Sequence, residues 1–374
     1  MVNLYEQHIE VKMVKVIQGT VSPGFGGLEL VIIEFHEWLI NHKVEAYVIA
    51  VEGTPLEKNL LHRGFRQSTI SIPKNKPKEI HYWRRRLDAE DVCFLFHRHQ
   101  GLKQLMFFKP KAKVAALSHT FYDVKKRDLW HRFIFSKVNQ WVALTPLHRD
   151  NLVETTGVSP EKICVIPNGV NLSKFIPKYK PVPSHDVPIR IGIIARLDRQ
   201  KGQEIAICAL KKLADEKSRR WSLHLFGEDT PSEAPVRPGL EQLAARLGVA
   251  DSVVFEGFQE NVGEKIQNLD LIWMPSYKET FGRCIIEGMA SGIPVIASNA
   301  GGVPDIIQPK KNGLLFETKN PDDLYEKTLS LVNDTELFSA IQKQARLDVE
   351  EKYDVSNIWS RLFECISPGN IKIT

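Results

Sequence analysis

Residues 269–297, LDLIWMPSYKETFGRCIIEGMASGIPVIA, indicate the fold of this chain more strongly than any other stretch. The run 269–274 is short, mostly apolar and followed by a proline, which is typical of a strand buried on both faces of a parallel sheet. The spacing of apolar residues then predicts a helix from near Thr280, and 294–297 reads as a second short strand. A strand, a helix and a strand in succession form the unit from which parallel sheets are built.

The same alternation runs along the whole chain and occurs as two sets. The first set of predicted strands is 14–17, 44–51, 92–96, 114–117 and 141–144, with helical spacing at 28–39 and 128–138. The second set is 189–194, 221–226, 253–255, 269–274 and 294–297, with helices that include 202–213 and 238–247. We therefore predict an α/β protein with two parallel sheets covered by helices.

A proline-rich segment lies between the two sets. Residues 177–188, PKYKPVPSHDVP, hold four prolines, and proline removes backbone donors and restricts its neighbours. We predict an extended linker here, with a first domain at 1–183 and a second at 184–352. The net charge is +10 over residues 1–183 and −5 over residues 184–374, which suggests different partners for the two domains.

Composition excludes several classes of protein. The chain has 374 residues, of which 43% are hydrophobic and 25% charged, and it contains no apolar run long enough to span a bilayer. Its first twelve residues do not read as a secretory signal. The five cysteines are widely spaced without a C-x-x-C pair, so neither a disulfide framework nor a zinc knuckle is indicated. We expect a cytoplasmic protein.

Two turns have the composition of a phosphate-binding site. Arg196 and Lys201 lie between the strand 189–194 and a helix that begins near Gly202, where outward-pointing amides and the helix dipole favour an anion. A glycine-rich turn with Gly24, Gly26 and Gly27 follows the first strand and would let a bulky ligand approach the backbone. Both patterns also fit purely structural readings, namely solvated cations and a tight turn.

Two carboxylates follow the strand 269–274. Glu279 lies in the loop before the predicted helix, and Glu287 lies about two turns inside it. One would face the mouth of a ligand site, and the other would reach a ligand lying along the start of the helix. For either residue alone, complementing the helix dipole or simple solvation is an adequate alternative.

Taken together, these residues resemble a known family. Glu279 and Glu287, with seven residues between them and Phe281-Gly282 inside, look like the E-x7-E region of glycosyltransferase family 4, a group of retaining, nucleotide-sugar-dependent enzymes. Further matches follow the order of the family: Gly26-Gly27, Pro167-Asn168-Gly169-Val170, Arg196 with Lys201-Gly202, Phe226-Gly227, Phe255-Glu256-Gly257-Phe258 and Gly301-Gly302-Val303-Pro304. The matches span roughly residues 22–312.

The resemblance implies the GT-B architecture. Two Rossmann-like domains would face each other across a cleft, the first binding the acceptor and the second the nucleotide-sugar donor. The C-terminal helix, within residues 353–374, would cross back to the first domain.

The resemblance also implies roles for single residues. Arg196 and Lys201 would neutralise the diphosphate, and the amides of Phe281, Gly282 and Arg283 and the Gly26-Gly27 turn would contact its phosphates. Glu287 would bind the ribose hydroxyls and Glu279 the hydroxyls of the transferred sugar, while Phe258 marks the place of the base. Two cations and a helix N-terminus can stabilise the leaving group without a metal, and no D-x-D is present, so we expect no metal and no cofactor. The expected donor is a nucleoside diphosphate sugar, with UDP as the preferred nucleotide.

Histidines follow two strands of the first set. His119, after the strand 114–117, resembles the family's histidine that meets the donor sugar and is predicted to be catalytic, although a lone histidine is more often structural. His97 and His99 are weaker candidates for binding the acceptor. A zinc site from the three histidines lacks a convincing cysteine or carboxylate partner.

Two departures from the family pattern affect the donor side. Asp305 stands where glutamate is commoner after the Gly-Gly-Val-Pro motif. Glu228 and Asp229 follow Phe226-Gly227 where Gly-x-Gly is usual, which weakens the prediction of how the base is bound.

The surplus of positive charge in the first domain suggests its partner. Cations and aromatic residues crowd residues 74–86, and Lys125, Lys126 and Arg127 form a second group. Such groups suit an anionic membrane surface or a phosphorylated glycolipid, although a solvated face is the plainer alternative. The expected acceptor is a sugar or a lipid-linked acceptor. Peripheral placement on the inner face of the cell membrane follows, in cell-surface lipopolysaccharide, polysaccharide or glycolipid synthesis.

Other classes of function remain open at this stage. A nucleotide-sugar epimerase or hydrolase could use the same scaffold, and a non-catalytic partner or a membrane- or nucleic-acid-binding protein could use the basic half. We expect no nucleic acid as a partner, because no stacking platform or recognition helix accompanies the charge.

Overall fold

The computed structural model describes residues 15–20, 25–73, 92–97, 102, 111–229, 234–259 and 261–367. Strands and helices alternate along the chain as the sequence predicts. The strands are β1 Lys15–Gly19, β2 Ala46–Val51, β3 Thr69–Ile72, β4 Val92–Phe96, β5 Lys113–Leu117, β6 Gln140–Ala143, β7 Ile163–Val165, β8 Ile189–Ile194, β9 Trp221–Phe226, β10 Val253–Gly257, β11 Leu271–Met274, β12 Val295–Ser298 and β13 Leu314–Phe316. The helices are α1 Gly27–Asn41, α2 Pro55–His62, α3 Leu129–Ser136, α4 Pro146–Thr156, α5 Gln203–Asp215, α6 Arg237–Arg246, α7 Val262–Ile266, α8 Arg283–Ala290, α9 Pro321–Asn333, α10 Thr335–Lys352 and α11 Val355–Ile366.

The strands form two sheets, which confirms the predicted α/β fold. The first has the order β3-β2-β1-β4-β5-β6-β7, and the second has the order β10-β9-β8-β11-β12-β13. The pairs β1 with β4 and β8 with β11 are parallel, and each joins strands that are not consecutive in the chain. In such doubly wound sheets ligands bind beyond the carboxyl ends of the strands, at the point where the strand order reverses. That point lies between β8 and β11 in the second sheet.

The chain divides into two compact units. Unit 1 comprises Met1–Ser118, Lys126–Val142 and Leu362–Thr374, and unit 2 comprises His119–Lys125 and Ala143–Arg361. Within unit 1 the end of α11 is fixed by polar contacts: the Lys113 ammonium donates to the carbonyl oxygens of Cys365 at 3.2 Å and Ser367 at 2.7 Å. The C-terminal helix thus returns to the first unit. The predicted boundary at Pro183 stays a prediction.

A continuous apolar core holds the second sheet in place. The faces of β8, β9 and β11 pack against α5, and the cluster includes Ile191, Leu210, Leu223 and Trp273, all fully buried. Trp273 also donates its indole N–H to the Thr328 hydroxyl of α9 at 3.1 Å, so its polar atom is satisfied. This rigid core fixes the loops that leave β8 and β11.

The helix after β11 begins later than the sequence predicts. The expected start is near Thr280, but α8 begins at Arg283 because Gly282 takes the left-handed conformation, with φ of 82°, as its N-cap. Residues 275–282 therefore form a longer loop, and Glu287 lies little more than one turn inside the helix.

Candidate functional site

The loops that follow β8 and β11 in unit 2 press against each other. Gly202 is in the left-handed conformation, with φ of 68°, and a Cβ at this position would come within 2.1 Å of the Pro275 carbonyl oxygen. The Tyr277 amide donates to the Gln200 carbonyl oxygen at 2.8 Å. Only glycine permits this close approach. Two segments that are 73 to 77 residues apart in the chain at these contacts therefore form one surface at the carboxyl edge of the sheet.

Lys201 and Glu279 form an ion pair on this surface. The Lys201 Nζ lies 2.8 Å from Glu279 Oε2, and both side chains are about three-quarters or more buried. Burial alone would lower the pKa of Lys201, but the Glu279 carboxylate outweighs it and the pKa of Lys201 is raised. The lysine is therefore fully charged at neutral pH and is fixed in position by its partner. The sequence named both residues from separate motifs, and the structure places them in contact.

The backbone of Glu279 is held by the paired glycines of the Gly301-Gly302-Val303-Pro304 motif. The Gly302 amide donates to the Glu279 carbonyl oxygen at 2.9 Å. Gly301 has a φ of 57°, and a Cβ on it would come within 2.0 Å of the same oxygen. The motif therefore packs directly beneath Glu279 and sets the position of its peptide.

Helix α8 begins beside the ion pair. No side chain in the described part of the chain caps its N-terminus, so the first-turn amides keep the anion-favouring polarity of a helix start. Phe281, whose amide was predicted to contact phosphate, is 2% exposed, and its ring meets that of Tyr353 edge to face at 5.8 Å. The Phe281 side chain thus anchors the loop and leaves only its backbone for a ligand.

Glu287 is the second carboxylate of the loop and helix. It is 8% exposed and lies one turn beyond Arg283, whose Nε is 3.5 Å from its Oε1. Cys284 lies between the two glutamates: burial raises the pKa of its thiol, and the charges of Glu279 and Glu287 raise it further. The thiol is therefore protonated at neutral pH. The sequence offered no sign that Cys284 would lie in this position.

Arg196 lies in the same region, after β8. Its guanidinium is about half exposed and lies 3.8 Å from the Asp198 carboxylate. The Gln203 amide group donates to the Arg196 carbonyl oxygen at 2.8 Å and is itself 1% exposed. Gln203 therefore fixes the backbone of Arg196, a role that sequence reasoning missed because glutamine at the start of a helix is unremarkable by itself.

The departure at Glu228 changes the surroundings of Phe258. Phe258 is 48% exposed, and its amide donates to Glu228 Oε1 at 3.4 Å. The Glu228 carboxylate thus lies against the backbone that was predicted to bind the base. The role of Phe258 stays a prediction.

Segment 119–125, which carries His119, is fastened to the rest of unit 2 by several contacts. The His148 ring accepts the Leu144 amide at Nδ1, so its Nε2 carries the proton and donates to the Thr120 carbonyl oxygen at 3.2 Å. Burial lowers the pKa of His148 to about 4, although the bond to Thr120 opposes this, and the ring is neutral. Asp123 pairs with Lys278, the residue before Glu279. His119 itself is half-buried, and its catalytic role stays a prediction.

In unit 1, the Gly26-Gly27 turn forms the start of α1. Gly26 is the N-cap, and a Cβ on it would come within 3.9 Å of the Glu29 carboxylate. Glu29 is 3% exposed, and its Oε1 makes no hydrogen bond within the described part of the chain. Sequence reasoning passed over this buried carboxylate. Gly24 lies outside the described residues.

Of the two histidines predicted to bind the acceptor, the structure describes only His97. His97 is fully buried and its Nε2 lies 2.9 Å from the Gln18 side-chain oxygen. Burial lowers its pKa to about 3. This environment is that of a core residue, and contact with an acceptor stays a prediction. His99 and the basic stretch 74–86 lie outside the described residues.

The residues after β8 and β11 in unit 2 combine the features of an anion-binding site with hydrogen-bond acceptors beside it. Two cations and an uncapped helix start adjoin two carboxylates that can accept hydrogen bonds from hydroxyl groups. Across the residues that the structure describes, no three His, Cys, Asp or Glu side chains gather as a metal site.

Comparison with known families matches both halves of the chain. Residues 178–348 match the model described as "Glycosyl transferases group 1", and residues 25–174 match that described as "Glycosyltransferase Family 4". The two matches leave only three residues between them and include every motif quoted above. The chain belongs to glycosyltransferase family 4.

Individual relatives of this family 4 glycosyltransferase are distant. An uncharacterized glycosyltransferase of Methanocaldococcus jannaschii is 31% identical over 53% of this chain and 52% of its own. A D-inositol 3-phosphate glycosyltransferase of Streptomyces bingchenggensis is 30% identical over 59% of this chain and 51% of its own. The chain thus spans about half the length of these curated relatives.

The fold of this family 4 glycosyltransferase is shared by solved structures. Anabaena HepE, whose structure contains UDP and glucose, superposes with a TM-score of 0.80 over 94% of this chain and 98% of its own, at 19% identity. The likeness establishes the GT-B fold. Within the described residues, no helix is both long and apolar enough to cross a membrane.

Proposed function

We propose that this protein transfers a sugar from a nucleoside diphosphate sugar to an acceptor hydroxyl. The observation that carries the proposal is the Lys201–Glu279 pair beside the start of α8, at the edge of the sheet where β8 and β11 adjoin. A nucleotide sugar needs positive charge at its diphosphate and acceptors at its sugar hydroxyls. Both are present within one short stretch of surface.

The chemistry assigned to each residue follows the charge that develops in the reaction. Departure of the nucleoside diphosphate places negative charge on the phosphate oxygens, and Arg196, Lys201 and the first amides of α8 would stabilise it. Glu279 would accept hydrogen bonds from the transferred sugar, and Glu287 from the ribose. Lys201, fixed by Glu279, would then couple recognition of the sugar to stabilisation of the leaving group.

The donor we propose is a UDP-sugar. Support comes from Anabaena HepE, which shares the fold and was solved with UDP and glucose. We further propose a metal-independent reaction, because fixed cations and helix amides can supply the charge that a metal would supply.

Retention at the anomeric carbon is part of the proposal. Since the sequence offers no obvious nucleophile for a covalent intermediate, we propose that the leaving phosphate takes the proton of the acceptor hydroxyl on the same face of the sugar. His119 would contact the donor sugar. Proton NMR of the product's anomeric signal tests this point: an inverted product contradicts it.

The acceptor we propose is a sugar or a lipid-linked sugar of a cell-surface polysaccharide, lipopolysaccharide or glycolipid. The net charge of +10 over residues 1–183 supports an anionic acceptor or membrane surface. The protein would then act as a peripheral enzyme at the inner face of the cell membrane.

A panel of UDP-, GDP- and ADP-sugars tests the proposed function. The wild-type protein should release nucleotide slowly from at least one donor, with water as the acceptor. Glu279→Gln should release it about 100-fold or more slowly, because the amide neither binds sugar hydroxyls as a charged acceptor nor fixes Lys201. Glu336→Gln, at an exposed position on α10, is the matched control and should keep the wild-type rate. If no donor is bound or turned over by the wild type, the proposed function is wrong.

A further inference from the structure

The outer face of helix α3 in unit 1 is apolar although it faces solvent. Leu129 is 83% exposed, Trp130 49% and Phe133 53%. At about 100° per residue these three side chains share one arc of the helix. Large apolar side chains are scattered singly on most protein surfaces, and three on one helix of eight residues form a patch that calls for a partner.

The opposite face of the helix already has its packing partners. Ile134 and Phe135 are 2% and 4% exposed, and the Phe135 ring meets that of Trp141 edge to face at 5.2 Å. Asp128 caps the helix through the His131 amide. The position of α3 is therefore set from inside, and the outer apolar residues contribute little to holding it.

Positive charge surrounds the apolar patch. Residues 125–137, KKRDLWHRFIFSK, contain five lysines and arginines and a single carboxylate, Asp128, which pairs with His131. Arg127 and Arg132 are exposed, and the Lys137 ammonium lies 4.4 Å from the Phe133 ring centroid. An ammonium group over an aromatic ring is a cation–π contact, and it keeps a positive charge beside the apolar patch.

We infer that the outer face of α3 is a docking surface for an anionic lipid bilayer. Trp130 and Phe133 would enter the interface between headgroups and acyl chains, where aromatic rings are favoured. The lysines and arginines around them would meet the negatively charged headgroups. A protein partner would be expected to match the patch with an apolar surface, but it would not explain why five of the six charged residues within 125–137 are positive.

The inference extends the proposed function and rests on it in one respect: the docking surface would bring the enzyme to a lipid-linked acceptor. None of Leu129, Trp130 and Phe133 is among the residues assigned to the donor. Loss of membrane binding and loss of donor turnover can therefore be measured independently.

Sedimentation with vesicles tests the inference. The full-length protein is mixed with vesicles of phosphatidylcholine alone or with one quarter phosphatidylglycerol, at low and at high salt. We expect binding to the anionic vesicles and at least a tenfold loss of partitioning in the variant Leu129→Ser/Trp130→Ser/Phe133→Ser. Leu347→Ser is the matched control, since Leu347 is 57% exposed on α10, and it should bind as the wild type does. Arg127→Gln/Arg132→Gln should weaken binding and reduce its dependence on salt.

Two further measurements separate the alternatives. Vesicles with brominated acyl chains should quench part of the wild-type fluorescence, and Trp130→Phe should remove that part. Release of nucleotide from a soluble donor should be the same in the triple variant as in the wild type, which shows that the fold is kept. The inference is overturned if the wild-type protein does not sediment with anionic vesicles, or if the triple variant still binds them. The inference is also overturned if the wild type is a dimer and the triple variant is a monomer, because the face would then bind a second copy of the chain.

Discussion

In the proposed reaction, the Lys201–Glu279 ion pair would contact two parts of one ligand, its phosphates and its sugar. A lysine with a buried stem and a fixed partner loses little freedom when it binds phosphate, so less of the binding free energy is spent on ordering it. The carboxylate of Glu279 beside it has oxygens that can accept hydrogen bonds. Removing either partner leaves the other partly buried without its counter-charge, which is the costly situation in protein interiors. Variants of the two residues should therefore be strongly non-additive.

Single buried histidines make stability depend on pH. His36 is fully buried in α1, its Nε2 lies 2.8 Å from the Ser68 hydroxyl, and its Nδ1 has no hydrogen-bond partner in the described part of the chain. Burial lowers its pKa to about 4. The unfolded chain takes up a proton near pH 6.5 and the folded chain only near pH 4. The stability contributed by neutral His36 is thus present above about pH 6.5 and is lost as the pH falls toward 4.

Unfolding by urea at pH 7.5 and pH 4.5 tests this. In the wild type, the free energy of unfolding should be lower at pH 4.5 than at pH 7.5. His36→Gln can still bond to Ser68 but does not titrate, so its drop in unfolding free energy between the two pH values should be smaller than that of the wild type by up to about 3 kcal/mol. His185→Gln, at an exposed position, is the control and should follow the wild type. An equal loss in His36→Gln and the wild type would show that this histidine does not carry the effect.

At the scale of elements, the site is built by loops that touch backbone to backbone. The loop after β8 packs on the loop after β11 through Gly202, and the loop after β12 packs beneath Glu279 through Gly301 and Gly302. Each contact leaves no room for a Cβ. The side chains of the site are therefore positioned by main-chain packing on a rigid sheet, which gives more accurate placement than flexible loops alone.

A comparison of Gly301→Ala with Gly248→Ala should distinguish the effect of steric crowding by the new Cβ from the effect of backbone strain. Gly301→Ala brings a Cβ within 2.0 Å of the Glu279 carbonyl oxygen, whereas Gly248→Ala, also at positive φ, meets nothing within 4 Å. Both substitutions force an alanine into the left-handed region, at about 1–2 kcal/mol. Only Gly301→Ala should also displace Glu279, lowering nucleotide release by about 100-fold. Equal stability and equal activity of the two variants would refute this account of the loop.

At the scale of the whole molecule, the sequence predicted what depends on local pattern. The alternation of strands and helices predicted two parallel sheets, although the short strands β3, β7 and β13 were not among the predicted strands. The segments around Arg196, Lys201, Glu279 and Glu287 were placed correctly after β8 and β11. The start of α8 was predicted three residues early, because the left-handed Gly282 interrupts a pattern that is otherwise helical.

What the sequence did not predict depends on contacts between distant segments. The sequence around Phe281 does not indicate that its ring will pack against that of Tyr353. The sequence around Gln203 does not indicate that its side chain will bond to the backbone of Arg196. His148 has no motif around it, yet it fixes the carbonyl next to His119. These residues act by position in the folded chain, and only the tertiary structure gives that position.

In the proposed function, the loops after β8 and β11 bind the diphosphate of a nucleotide sugar. Isothermal titration of UDP and of UMP into the wild type and into Arg196→Met/Lys201→Met tests it most directly. The wild type should bind UDP about tenfold or more tightly than UMP, because charge-assisted bonds to the second phosphate are worth about 1.5–3 kcal/mol. The double variant should bind the two nucleotides about equally. If the wild type does not prefer UDP, or if the double variant keeps the preference, the diphosphate is not bound by these residues and the account is wrong.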